Sequence, residues 1–360
     1  MRIAVIGLYH NPLAEPFVWG LESFTFRYVH SLIERWHEVD VYAKAWSWPG
    51  FHCIPFEGES LRTAYDIIWW YDDVKAWFAA EFVDYALAMD KIAKGDYDII
   101  HNHSLHHYPI LAWGLIKVPP MVTTFHVHPF VEYKSAVHAL QWEAIASGKN
   151  RNAFVSISNY IAQTRERIGQ DTKVINNWVE LDRRKFFEYA NNDQPYFARA
   201  WRVTPEKWTH LAVQAAIRAW VHLKIAWSVH NDHYFKTKIE PHLSDTIEYV
   251  GALSQAQLNE HFGNAQAKLF TSIWDEPFGL VLIEALASGC PVITFESGEA
   301  GCIINQNVWA VVWSEDVDAM ASEIWLIDKV ERSACRARAE EEYSRSVMMD
   351  KYEEFYNEII

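Results

Sequence analysis

Two carboxylates, Glu276 and Glu284, are separated by seven residues in Ser272-Ile-Trp-Asp-Glu-Pro-Phe-Gly-Leu-Val-Leu-Ile-Glu-Ala-Leu-Ala-Ser-Gly289. The apolar run over 267–271 predicts the end of a buried strand, and the apolar spacing from about Gly279 predicts an amphipathic helix. One carboxylate then lies in a loop and the other two turns into the helix, so that they flank a helix N-terminus. Free backbone N–H groups and a partial positive charge at such an end suit a phosphate. Carboxylates beside it accept hydrogen bonds from hydroxyls. A polyol attached to a phosphate has both features, and a nucleotide-sugar is such a ligand.

Two cations join this pair. Arg202 and Lys207 lie in Ala200-Trp-Arg-Val-Thr-Pro-Glu-Lys-Trp208, just after a predicted strand. At a strand-to-helix turn they could neutralise a diphosphate, Arg through its fork and Lys as a point charge. His126 closes the predicted strand Val122-Thr-Thr-Phe-His126, and strand ends in open α/β sheets face the ligand crevice. A neutral imidazole there can donate or accept a hydrogen bond. His101, His103, His106 and His107 invite a metal reading, but no acidic or cysteine ligand is spaced with them, so they are read as structural and no metal is assigned.

These residues need a scaffold in which short apolar runs alternate with helical patterns, the requirement of a doubly wound α/β protein. Strands are predicted at 3–7, 38–43, 97–101, 121–125 and 153–158, with helices near 21–35, 81–94 and 161–168. A second series starts at 196–200 and continues at 223–226, 247–250, 269–271 and 292–295. The charged stretch Glu188-Tyr-Ala-Asn-Asn-Asp-Gln-Pro195 between the series reads as a linker, and 329–360 as strongly helical. A chain of 360 residues fits two domains at roughly 150 residues each.

Bulk properties set limits. A formal net charge of −15 argues against a nucleic-acid partner and against polybasic membrane docking. Cys53, Cys290, Cys302 and Cys335 form no C-x-x-C pair and no small disulfide framework. The start, 1–7, is too short for a signal-peptide core, and no apolar run approaches the roughly 20 residues of a membrane span. The expectation is a cytoplasmic protein with no integral membrane segment.

Glu276-Pro-Phe-Gly-Leu-Val-Leu-Ile-Glu284 followed by Ala285-Leu-Ala-Ser-Gly-Cys-Pro-Val-Ile293 resembles the signature E-x-F-G-x-x-x-x-E…A-x-A-x-G-x-P-V-I of the retaining family-4 glycosyltransferases. The resemblance covers nearly the whole chain. It implies the GT-B fold: two facing Rossmann-like domains with parallel sheets, an N-terminal acceptor-side domain over 1–188 and a nucleotide-sugar-binding domain over 189–345. It also implies that a helix over 346–360 packs back on the first domain. The reaction implied is transfer of a sugar, in the cleft between domains, from a nucleoside-diphosphate sugar to a small-molecule, glycan or lipid-linked acceptor, with retained configuration, by front-side attack and without a metal or cofactor. On matching positions, Glu276 contacts the transferred sugar, Glu284 holds the ribose, and Arg202 and Lys207 stabilise the leaving diphosphate. His126 meets the donor sugar near the acceptor. The implied donor-binding set is Gly20, Arg202, Lys207, Glu276, Phe278, Gly279, Leu280 and Glu284. A nucleotide-sugar epimerase of the same fold and a non-catalytic donor-binding relative are the alternatives.

The departures from the family pattern run in one direction. Trp19 stands where G-G-x-E has its first glycine, Trp36 in E-R-G-H-E-V, Trp178 in N-G-V, and Trp201 and Trp208 at both glycines of G-R-x-x-x-x-K-G. Trp220, Trp227 and Trp309 also stand at turns where glycine is expected. The chain has 18 tryptophans and only 14 glycines, against the usual roughly 7% glycine. Reading these eight as glycine would bring the count to 22. UGA encodes glycine in some genetic codes and tryptophan in others, so one misread codon accounts for the pattern. Trp274, common before the acidic pair in the family, is read as tryptophan. Gly301-Cys302 replaces a Pro-Glu pair, which weakens the loop 296–300 as a donor contact, although Gly298 could still supply backbone amides.

Overall fold

The computed structural model describes all residues except 16, 18, 19, 48, 49, 57–72, 148–151 and 164–171, with side chains at 73–78, 141–147 and 152 also left aside. The chain divides into two compact units: Met1–Ile157, Ile161–Ile175 and Met349–Ile360 form one, and Ser158–Tyr160 and Asn176–Met348 the other.

The first unit is built on seven parallel strands: β1 (Arg2–Ile6), β2 (Glu38–Ala43), β3 (His52–Pro55), β4 (Ile99–Asn102), β5 (Met121–Phe125), β6 (Asn152–Ser156) and β7 (Lys173–Val174). Their order is β3-β2-β1-β4-β5-β6-β7. The β1, β4 and β5 strands are almost entirely buried, as continuous apolar runs in a parallel sheet covered on both faces should be. The order reverses between β1 and β4, and the ends of β4 and β5 deliver His103 and His126 to that switch point. Met349–Ile360 belongs to this unit. Tyr352 and Tyr356 of that segment are fully buried and bond Thr124, Tyr28 and His101.

The second unit repeats the plan with β8 (Tyr196–Ala200), β9 (His222–Ala226), β10 (Ile247–Gly251), β11 (Lys268–Phe270), β12 (Val292–Phe295) and β13 (Trp309–Val312). The order β10-β9-β8-β11-β12-β13 places the switch point between β8 and β11. All the pairings are parallel. Residues 176–188 belong here rather than to the first unit. Arg184 bonds Glu284 and the Phe187 N–H bonds the Ser288 carbonyl, so the division falls ahead of the linker read at 188–195.

The backbone carries an unusual signature. Seven described non-glycine residues have positive φ: Trp36, Trp46, Trp208, Trp220, Trp227, Trp309 and Glu315. Such residues are ordinarily few and enriched in Asn, Asp and His. Here six of seven are tryptophan. The left-handed region costs an L residue roughly 1–2 kcal/mol, and Trp227 at φ 115° and Trp309 at φ 126° lie beyond even that basin. Summed over six positions, the strain rivals the roughly 5–15 kcal/mol that stabilises a whole domain.

Candidate functional site

The second unit's switch point gathers most of the chemistry. Beyond β8 comes a turn holding Arg202 and a 3₁₀ segment, Pro205–Lys207, before the helix Thr209–Ala219. Beyond β11 comes the loop with Glu276, then Gly279 at φ 98° and the helix Leu280–Ala287. A positive φ at its N-cap is what Gly279 supplies. Gly298 makes a second demand on glycine: a Cβ there would lie 2.4 Å from the Glu276 carbonyl oxygen and 2.5 Å from its nitrogen. The Glu299 N–H reaches that carbonyl at 3.1 Å, so the two loops are laced backbone to backbone.

Lys207 and Glu276, 69 positions apart, meet as an ion pair almost wholly out of solvent. Burial lowers the Lys207 pKa, and the Glu276 charge opposes that. Ser272 donates to the same carboxylate oxygen at 3.4 Å. The Lys207 backbone is pinned as well: its carbonyl accepts from Arg199 Nη2 at 3.0 Å and from Thr271 Oγ1 at 3.3 Å. Arg199 is buried, its pKa pushed down to about 10 by desolvation. Arg202, by contrast, is exposed.

Glu284 projects from the second turn of its helix and accepts from Arg184 Nη2 at 2.5 Å, with Gln255 taking a second bond from the same nitrogen. Phe278 is buried, edge-on to Tyr343. Gly279 is buried and Leu280 half-buried at the helix start. Glu299, also buried, accepts from the Tyr160 N–H at 2.8 Å and from Asn159 at 3.2 Å. Residue types and spacing had singled out Glu276, Glu284, Arg202 and Lys207. Arg184 and Glu299 carried no such signal, because their partners are distant in sequence, and Arg199 carried none because it lies within a strand and bonds only a backbone carbonyl among the contacts above.

In the first unit, His126 is buried and its Nε2 lies 2.9 Å from His103 Nδ1. Burial pushes its pKa down to about 3, so it is neutral at physiological pH. Gly20 opens the helix Gly20–Glu34, where an added Cβ would meet nothing within 4 Å. Its neighbour Trp19 lies outside the described residues. His101 is bonded to Tyr28, Tyr356 and Thr124, and the His106 ring is stacked on Tyr85. Among the described residues no group of three His, Cys, Asp or Glu side chains is placed to hold a metal ion.

Of the eight tryptophans at expected glycine positions, Trp36, Trp208, Trp220, Trp227 and Trp309 have positive φ. Trp178 and Trp201 do not. Trp46, which sequence comparison did not flag, does. Trp201 and Trp227 follow β8 and β9 directly, and their rings lie 5.8 Å apart at the strand ends, with Lys207 Nζ 5.4 Å from the Trp201 ring centre.

The sequence pattern of the glycosyl transferases group 1 matches residues 182–342, and that of glycosyltransferase family 4 matches 18–183. The chain belongs to the family-4 glycosyltransferases. A curated relative of this glycosyltransferase is the glycogen synthase of Mycobacterium tuberculosis, 25% identical over 261 residues, a match spanning 67% of this chain and 63% of the relative. Among solved structures, sucrose-phosphate synthase from Thermosynechococcus elongatus has a TM-score of 0.75 at 18% identity, covering 99% of this chain and 98% of the other. An Anabaena protein in complex with UDP has a TM-score of 0.73 at 15% identity, covering 99% and 100%. The same Anabaena protein was also solved with UDP-glucose. These likenesses establish the GT-B fold of this glycosyltransferase. No helix among its described residues is long and apolar enough to cross a membrane.

Proposed function

We propose that this glycosyltransferase moves a hexosyl group from a nucleoside-diphosphate sugar to a hydroxyl acceptor with retention of configuration and without a metal. The observation that carries this reading is the buried Lys207–Glu276 pair beside the Gly279–Leu280 helix start, with Glu284 on the same helix. Glu284 takes the ribose hydroxyls in this reading. Glu276 holds hydroxyls of the transferred sugar, and Arg202 and Lys207 receive the charge that grows on the diphosphate as the C1–O bond breaks. The backbone amides at 279–280 add a partial positive charge next to the phosphates. His126, kept neutral by burial, offers a hydrogen bond to a sugar hydroxyl. The acceptor oxygen enters on the face the phosphate leaves, and its proton passes to a phosphate oxygen. UDP and UDP-glucose in the Anabaena neighbour support a nucleotide-sugar donor.

The test is incubation with UDP-, GDP- and ADP-hexoses and a panel of polyol, glycan and lipid-linked acceptors, with products separated and their anomeric configuration read by NMR. A new glycoside of retained configuration is expected. Conversion of the donor sugar into an epimer without transfer would point to the epimerase alternative.

A further inference from the structure

We infer that the codons read as tryptophan at Trp36, Trp46, Trp201, Trp208, Trp220, Trp227 and Trp309 specify glycine in the cell that makes this protein. Trp36, Trp46, Trp208 and Trp220 lie in turns built for glycine, Trp227 follows β9 in a bend, and Trp309 opens β13 at a φ of 126°. After the helix Gly20–Glu34, the His37 N–H bonds the Leu32 carbonyl at 3.1 Å and the Trp36 N–H bonds Ile33 at 3.0 Å. After the helix Thr209–Ala219, Val221 reaches Ala216 at 3.1 Å and Trp220 reaches Ile217 at 3.2 Å. Both carry the six-to-one backbone bond of a Schellman motif, whose left-handed residue is usually glycine. There the indoles stand in solvent, 93% exposed for Trp36 and 92% for Trp220, so packing gives no return for the strain. Trp46 occupies the third place of the turn closed by the Ser47 N–H on the Lys44 carbonyl, where positive φ selects glycine. Trp208 caps the start of a helix at φ 41°.

A second observation is independent of φ. Among the described residues, the indole N–H groups of Trp201 and Trp309 are buried without a hydrogen-bond partner, whereas a buried Trp N–H ordinarily finds one. Trp113 and Trp325 behave as true tryptophans: their N–H groups bond the carbonyls of Pro119 and Ala219 at 3.2 and 3.0 Å. Trp178 shows neither sign and is left out of the assignment. The consequence for function is local. The Trp201 ring lies 5.4 Å from Lys207 Nζ, the Trp227 ring 5.8 Å from Trp201, and Trp208 is the chain neighbour of Lys207. All lie just beyond the carboxyl ends of β8 and β9, where open α/β sheets bind ligand. With glycine there the crevice opens and its backbone amides are free to approach an anion.

Peptide mass spectrometry on the protein from its own cells decides the identity. Glycine is expected at the seven positions and tryptophan at 113 and 325. Tryptophan at Trp36, Trp208 or Trp227 would overturn the assignment. Independently, the chain as written and its seven-glycine form, both expressed from unambiguous codons, are compared by thermal unfolding and by calorimetric titration with UDP. The glycine form should melt higher by about 10 °C or more and bind UDP at least tenfold more tightly. Equal melting temperatures would argue against glycine. A higher melting temperature with no UDP binding would uphold glycine and remove uridine diphosphate from the proposed donor.

A different cluster carries a second inference, which rests on His126 facing the sugar. The geometry points to His103 as a positioning residue that fixes the tautomer of His126. His103 is fully buried, with Nδ1 against His126 Nε2 at 2.9 Å and Nε2 without a partner among the described residues. An orphaned buried N–H is rarer than an orphaned acceptor, so the proton sits on His103 Nδ1 and is donated to His126. His126 Nε2 then accepts, and its own proton lies on Nδ1, making it a hydrogen-bond donor to ligand rather than a base. Nitrogen-15 NMR of the seven-glycine protein should show His126 protonated at Nδ1, and protonation at Nε2 would refute the assignment. In kinetics, His103→Asn keeps an N–H near the same place and should retain most of kcat. His103→Leu should lower kcat tenfold or more at unchanged donor KM, and equal losses in the two variants would argue for a merely structural role.

Discussion

Lys207 and Arg202 are five residues apart in sequence and differ in setting, so their removal should read out differently. Lys207 is buried against Glu276, and truncating it leaves a desolvated carboxylate without its cation, a change that is strongly destabilising. Arg202 is exposed. Both substitutions to Ala should slow transfer by roughly two to three orders of magnitude, but only Lys207→Ala should also lower the melting temperature. Rates and thermal unfolding on the two variants check this, and an equal loss of stability would contradict the difference in burial. Glu284→Gln keeps the shape and loses the charge beside Arg184, so UDP affinity should fall about tenfold, roughly 1.4 kcal/mol, and an unchanged affinity in titration would exclude the ribose role. Glu276, Glu284, Arg202 and Lys207 were legible as candidates because each falls in a short motif block, the carboxylates seven residues apart across a loop and helix start and the cations in a strand-to-helix turn. Arg184 and Arg199 were not: Arg184 is defined by its contact with Glu284, 100 residues away, and Arg199 by a bond to the Lys207 carbonyl that its place inside a strand does not announce.

At the scale of elements, the parallel strands were the most legible part. Four predicted strands, 38–43, 121–125, 196–200 and 292–295, coincide with β2, β5, β8 and β12, because buried apolar runs bounded by polar residues leave little choice of end. The others shift by one or two residues. The β3, β7 and β13 strands escaped: β3 contains Pro55, β7 is two residues long, and β13 begins on Trp309 at a φ no strand residue prefers. The helix predicted at 161–168 lies mostly outside the described residues. Helix ends offer a clean test of the glycine idea, because the indoles at Trp36 and Trp220 are exposed. Trp220→Gly should raise stability by about 1 kcal/mol, whereas Trp220→Ala, which keeps the Cβ, should gain much less. Denaturant melts of the two variants separate backbone strain from mere loss of an exposed indole; equal gains would place the effect in the side chain.

For the whole molecule, the two-unit plan followed from the repeated strand series, but the boundary did not, because residues 176–188 look like connecting chain until their bonds to the second unit are seen. Acid should separate the units. Burial lowers the pKa of His10, His101, His103, His106, His107 and His126 in the first unit. In the second, among the described residues, it does so for His210 and His261. A histidine whose pKa is lower folded than unfolded binds more protons in the unfolded state between the two values. Its stabilising share is therefore complete above about pH 6.5 and lost as pH falls through that value, for His126 down to about 3. Each such group steepens the loss by up to about 1.4 kcal/mol per pH unit, so the first unit should unfold at the higher pH. Hydrogen exchange measured from pH 7 to pH 4 should show the amides of β4 and β5 losing protection before those of β8 and β11. His126→Gln, which cannot be protonated in this range, should flatten the acid limb of the first unit and leave the second unchanged. Simultaneous loss in both units, unaltered by that substitution, would place the acid response in the carboxylates instead.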